Sequence, residues 1–245
     1  MKAATLESRF PLMAVEHGCI ISKDADITVA YRVELPEVFT LTRAEYEALH
    51  STWVKAVKVL PDYSIVHKQD IFIEESYRPD TCGEDRSFLS RSFERHFNER
   101  PYLNHTCYLF LTKTTKEHSR TTSSFNALTR GFIIPKEIQD KDTVTRFLEC
   151  CGQFERIVND SGLVRMVRLT DMEITGTETS AGIIEKYFSL SQDDTACLQD
   201  ITLGAGEMKV GDSLLCLHTL SGTEDLPSSV GTDSRYERLS TDRSD

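Results

Sequence analysis

The sequence predicts an α+β fold, in which helices pack on antiparallel or mixed sheets. Three observations carry that reading. Alternating apolar and polar runs over residues 11–35, 64–77 and 102–112 have the two-residue period of strands. Stripes of helical period follow a capping box at Thr42 and recur after Asp142. Breakers such as Pro61-Asp62 and Pro101 stand between these segments. The predicted order is β-β-α-β-α-β, followed by a second helix and strand block.

Residues 11–22 (PLMAVEHGCIIS) read as one strand, turned at Lys23-Asp24-Ala25-Asp26 into a second, where Ile27, Val29, Tyr31 and Val33 alternate onto one face. Thr42 and Glu45 form the capping box of a helix carrying Tyr46, Leu49, Trp53 and Val57, which ends near Leu60. The strand over 64–77 offers Ile65, Ile71 and Ile73 to the core. Leu89, Phe93 and Phe97 lie at i, i+4 and i+8 of a short helix stopped by Pro101. A strand over 102–112 completes a first α+β lobe, residues 1–112.

Residues 113–130 are dominated by Ser, Thr and charge and read as a long, exposed, mobile loop. The second block, 131–220, opens with the most regular helix of the chain: Val144, Phe147, Leu148, Cys151, Phe154 and Val158 form one stripe that closes at Asn159-Asp160-Ser161-Gly162. A strand over 163–169, a shorter helix around Gly182 to Leu190 and a hairpin across Gly211-Asp212 follow. Residues 221–245 have almost no apolar spacing and read as a polar linker toward a further domain.

Charge narrows the function classes. With 39 acidic against 28 basic residues, the formal charge is −11. Nucleic acid, which is held by clustered Lys and Arg, is therefore not an expected partner. No run of basic residues is available for anionic lipid, so membrane contact is expected only through protein partners. The first residues lack the apolar core of a signal peptide, and no stretch has the roughly 20 apolar residues of a spanning helix. Seven cysteines (Cys19, Cys82, Cys107, Cys150, Cys151, Cys197 and Cys216) include no C-x-x-C pair, which suits reduced thiols. These readings place the chain in the cytoplasm.

The motif search ends mostly in exclusions. None of the 12 glycines precedes a Lys, so the ending of a phosphate-binding P-loop cannot occur. Gly204 and Gly206 lack the third glycine of a dinucleotide fingerprint, since position 209 is Lys, and read as a turn. Two pairs could supply a nucleophile with a base, or part of a metal site: His17 with Cys19, and His105 with Cys107. Packing is the simpler reading of both pairs, as it is for the adjacent Cys150 and Cys151 on their helix. Asn98 to Pro101 reads as a helix end, and Asp24, Asp26, Glu74 and Glu75 form no pairing that spacing alone can place. No catalytic residue, cofactor-binding residue or metal ligand is assigned. His67, Lys68, Gln69 and Asp70 put four polar residues in a row inside a strand. That pattern reads as a bulge or exposed edge, and as the candidate partner-contact edge.

Several long strings, among them residues 10–42, 59–73, 87–117, 151–165 and 231–245, resemble the N-terminal region of the TraG-type conjugation ATPases of Bacteroides conjugative transposons. That family is similar to the VirB-type ATPases of type IV secretion. The resemblance implies a non-catalytic docking and assembly domain at the inner face of the inner membrane. Its implied partners are inner-membrane proteins of the conjugation channel, neighbouring ATPase subunits in a homo-oligomer, and its own C-terminal ATPase domain, where alone ATP and Mg would bind. The alternative is a stand-alone cytosolic thiol- or metal-dependent hydrolase built on the His and Cys pairs.

Overall fold

The run read as one strand over residues 11–22 folds back on itself. In the computed structural model, which describes residues 11–24, 26–37, 40–76, 87–98, 100–114, 141–189, 200–204 and 206–219, β1 (Leu12–Glu16) and β2 (Cys19–Ser22) form an antiparallel hairpin. His17 and Gly18 make the turn with φ of 55° and 69°. Two consecutive residues of positive φ match the turn of a two-residue hairpin to the right-handed twist of its strands, and an apolar run hides that signal when the first turn residue is His rather than Asn or Asp. The chain then passes to β3 (Ile27–Glu34).

β3 is the centre of the main sheet, in which β4 (Ser64–Ser76) and β5 (Pro101–Lys113) complete the order β1-β2-β3-β5-β4, with β6 (Arg165–Arg168) also on β3. One side of β3 pairs along most of its length with β5. The other side is divided: Ile27–Val29 pair with β2, and Tyr31–Glu34 pair with β6. All these pairings are antiparallel, so the α+β reading holds.

Alternation along β3 sends Ile27, Val29, Tyr31 and Val33 to one face, as the sequence predicts, where they meet Cys107, Leu109 and Leu111 of β5. Two helices cover that face: α1 (Arg43–Val59) and α3 (Lys141–Asn159). α3 buries Phe147, Cys151, Phe154 and Val158. Phe154 meets Trp53 of α1 with ring centroids 6.1 Å apart, and Tyr31 donates its hydroxyl hydrogen to the Cys151 carbonyl at 3.3 Å. Residues on both sides of the 113–130 segment thus build one core. The opposite face carries Ala30, Tyr108 and Phe110, covered by two short helices, α4 (Asp171–Thr175) and α5 (Ile183–Ser189), through Ile174 and Ile183.

Several elements bury a different side from the one periodicity alone suggests. The capping box of α1 forms as expected, with Thr42 and Glu45 each accepting from the other's backbone amide. Of its stripe, however, Tyr46 and Val57 are exposed, while Leu49, Trp53 and the fully buried Ala56 face the core. The helix packs along a narrow seam, chiefly against α3. α2 (Phe88–Asn98) also forms, but Leu89 and Phe93 are 78% and 63% exposed. α3 ends as predicted, with Gly162 at φ 68°. The Asn159 side chain then bridges to β6, accepting from the Met166 amide at 2.7 Å and donating to its carbonyl at 3.0 Å.

α4 has no counterpart in the expected order, yet its start carries a second capping box, Thr170 with Glu173. A separate three-stranded sheet, β7 (Ile201–Leu203), β8 (Met208–Val210) and β9 (Ser213–Leu215), contains the predicted hairpin at Gly211-Asp212. The Gly204 amide donates to the Glu207 carbonyl at 2.8 Å, so that glycine pair is a turn. The predicted loop starts later than residue 113: Lys113 is the last residue of β5 and Thr114 is buried. The remainder of that loop and the predicted linker at 221–245 lie outside the described residues.

The β1–β2 turn is clamped from far along the chain. The Gly18 amide donates to Asp171 Oδ1 at 2.5 Å, and Arg168 Nη2 donates to the His17 carbonyl at 2.9 Å. A Cβ at Gly18 would stand 3.2 Å from both Arg168 Nε and the Leu169 carbonyl oxygen. Gly18→Ala combines that crowding with a left-handed backbone, and should cost about 1–3 kcal/mol, measured as a lowered midpoint in urea unfolding.

Candidate functional site

The polar run His67-Lys68-Gln69-Asp70 lies within β4 (Ser64–Ser76), an outer strand of the sheet. The bulge reading is corrected: β4 and β5 pair without a break through thirteen residue pairs, from Ser64↔Lys113 to Ser76↔Pro101. The edge reading holds, since among the described residues β4 pairs on one side only. Ile65, expected in the core, is 52% exposed, and Val66 and Phe72 are also exposed. β3 reaches only Cys107 to Lys113 of β5. Beyond that, Ile71–Ser76 and Pro101–Thr106 continue as a two-stranded ribbon.

Strand alternation divides the four residues between two surfaces. Lys68 and Asp70 stand opposite Leu109 and Cys107, on the face that α1 and α3 cover further inward. His67 and Gln69 stand opposite Phe110 and Tyr108, on the face of α4 and α5. There His67 meets Phe110 at 5.6 Å between ring centroids. It also borders an open groove of about 280 Å³ whose apolar wall includes Ile20, Ile183, Ile184 and Tyr187. A row of four polar residues is thus two adjacent polar pairs, one on each side of an edge.

On the first face Asp70 is a hub. Its carboxylate accepts from Lys68 Nζ and lies 2.9 Å from His105 Nε2. The His105 ring stacks on Phe72 at 4.4 Å and 8°. Partial burial works to raise the Asp70 carboxyl, but hydrogen bonds from Lys68, His105 and Cys107 outweigh it, and the group titrates below its ordinary value. Sequence reasoning paired His105 with Cys107 and placed Asp70 apart from them, in the polar run. Only the register, which sets Asp70 directly opposite Cys107, brings them together.

The order within this cluster matters for chemistry. A thiol nucleophile needs a base in contact with the sulfur and a third group orienting that base. Here the carboxylate, and not the imidazole, stands between the other two groups. Burial pushes the Cys107 thiol up to about 11. The other pair fares similarly. His17 lies in the turn, so the two residues are not strand neighbours, and Cys19 donates its thiol hydrogen to the His17 carbonyl at 3.8 Å. Burial raises the Cys19 thiol despite the Arg168 guanidinium 3.3 Å from its sulfur. Cys151 is in the core and pushed up to about 12 by burial, with Cys150 half-buried beside it.

The remaining candidates are placed structurally. Glu75 accepts from Tyr102 at 3.0 Å and Asn104 at 3.1 Å across the ribbon. Asn98 closes α2 and Pro101 opens β5. Among the described residues, no three His, Cys, Asp or Glu side chains converge to hold a metal ion, and no helix is long and apolar enough to cross a membrane.

Residues 1–51 match a family model described as a domain of unknown function, B. Theta gene description (DUF3875). In the described part, that span covers β1, β2, β3 and the first turns of α1. No curated protein matches the chain.

Two predictions follow from this geometry. On brief alkylation of the folded chain at mildly alkaline pH, Cys216, which is exposed, labels first among the cysteines of the described residues, while Cys19, Cys107 and Cys151 label only after unfolding, read by site-resolved mass spectrometry. The lowered Asp70 carboxyl contributes stability that is fully present above the ordinary value of 3.8 and is lost as pH falls through the folded-state value. Asp70→Asn should therefore reduce the difference between neutral and acid stability, seen in urea midpoints across that range.

Proposed function

We propose that this chain is the non-catalytic docking and assembly domain of a TraG-type conjugation ATPase. It contacts inner-membrane components of the transfer channel and neighbouring ATPase subunits. The observation that carries the reading is the long open edge of β4, with Lys68 and Asp70 on one face, His67 and Gln69 on the other, and exposed Ile65, Val66 and Phe72 among them. An open edge of this kind offers unpaired backbone amides and carbonyls to another chain. A second exposed apolar group, Phe88, Leu89 and Phe93, lies on α2 in the connection between β4 and β5.

Three further points support it. The chain has no P-loop ending at any of its glycines. Its candidate thiols are buried and engaged in structural contacts. The B. Theta description of the family model over residues 1–51 agrees with the Bacteroides origin of the proteins that the longer strings resemble. In this reading ATP and Mg belong to the ATPase domain, and the chain works at the inner face of the membrane through its protein partners.

Purified chain should show no ATP hydrolysis above background, and sustained turnover that scales with protein would overturn the proposal. Immunocapture of the native product from its source cells should recover a polypeptide well above the 27.8 kDa of this chain, together with membrane proteins of the transfer apparatus. His67→Ala combined with Asp70→Ala should weaken that recovery while circular dichroism stays unchanged.

A further inference from the structure

We infer that the open edge of β4 pairs with β4 of a second copy of this chain, antiparallel about a two-fold axis through Gln69. The inference rests on the assembly reading and gives its subunit contact a definite partner and register.

Symmetry supplies the first constraint. Two identical strands joined antiparallel by a two-fold axis normal to the sheet keep each face on its own side, so an even-numbered residue meets an even-numbered residue. With the axis at Gln69, Lys68 meets Asp70 of the second copy, and Asp70 meets its Lys68. One position further out, exposed Val66 meets exposed Phe72, again twice. On the other face Ile65 meets Ile73 and His67 meets Ile71. Opposite charges and apolar pairs each stabilise directly opposed positions.

Neighbouring registers lose this match. An axis at Lys68 sets the two Lys68 ammonium groups against each other, and an axis at Asp70 does the same with two carboxylates. An axis at Ile71 places Asp70 against Phe72. A single Lys on an edge strand serves to keep other strands away. A Lys and an Asp two residues apart on one face instead permit a single pairing that is its own complement. With a formal charge of −11 on each copy, bulk electrostatics oppose association. These local pairs and the apolar contacts flanking them therefore decide whether and where two copies meet. Half-exposed Lys68 leaves the junction at the surface, where its substitution does not disturb the core.

Sedimentation velocity of the 245-residue chain over the micromolar range tests this. The wild type should approach twice the 27.8 kDa chain mass as concentration rises. Lys68→Glu alone and Asp70→Lys alone set like charges opposite each other at both ends of the junction. Each should raise the dissociation constant by about tenfold or more. A mixture of the two variants re-forms opposite pairs across the axis and should restore a mixed dimer that neither makes alone. Loss of folding cannot mimic that restoration. A wild type monomeric throughout, or a dimer whose affinity ignores both substitutions, or a mixture no tighter than its components, overturns the inference. A monomeric chain whose native product still recovers transfer-apparatus proteins overturns self-pairing alone; loss of that recovery as well removes the assembly reading.

Discussion

Among the described residues, the main sheet and its helices are arranged around the saturation of β3. Val29, Ala30 and Tyr31 are essentially without solvent contact, and the strand is covered by helices on both faces. Each backbone amide and carbonyl buried there must find a partner in a neighbouring strand, because an unpaired group would cost about 1–3 kcal/mol. β5 serves one side. The other is shared end to end by β2 and β6, and that division explains the short β2, the tight turn at His17 and Gly18, and the placement of α3 immediately before β6. The Asn159 bridge to Met166 fixes the second half of this arrangement.

How much of this can be read in the sequence depends on whether the signal is local. The α3 stripe and the alternation of β3 are local and strong, and both occur where they are expected. The Thr42 capping box is equally legible, and the same logic applied to Thr170 and Glu173 would have found α4. The β1–β2 turn was hidden because apolar residues flank it on both sides and His-Gly is not one of the Asn-Gly or Asp-Gly pairs that mark a two-residue hairpin. The buried side of α1 depends on where α3 lies against it, which no helical period encodes.

The candidate site divides in the same way. Four consecutive polar residues mark β4 as unusual, and their edge position follows from the absence of an apolar requirement on its outer side. The hub at Asp70 was not visible, because it depends on a register that brings His105, 35 residues further along, beside Asp70. Once that register is known, the polar groups that looked like fragments of catalytic sets become parts of a hydrogen-bonded surface, with the thiol buried beneath the carboxylate.

The clamp on Gly18 also sets a schedule. Its partner Asp171 lies 153 residues further along, so on a ribosome adding 5–20 residues per second roughly 8–30 s pass between the two. During that interval the hairpin has its own turn hydrogen bonds but none from β6 or α4, and half of one side of β3 stands open. Contacts so distant in sequence also slow the final closure. The hairpin within the segment matched by the family model is therefore made well before the residues that lock it, and its turn is held in place by residues that the match does not include.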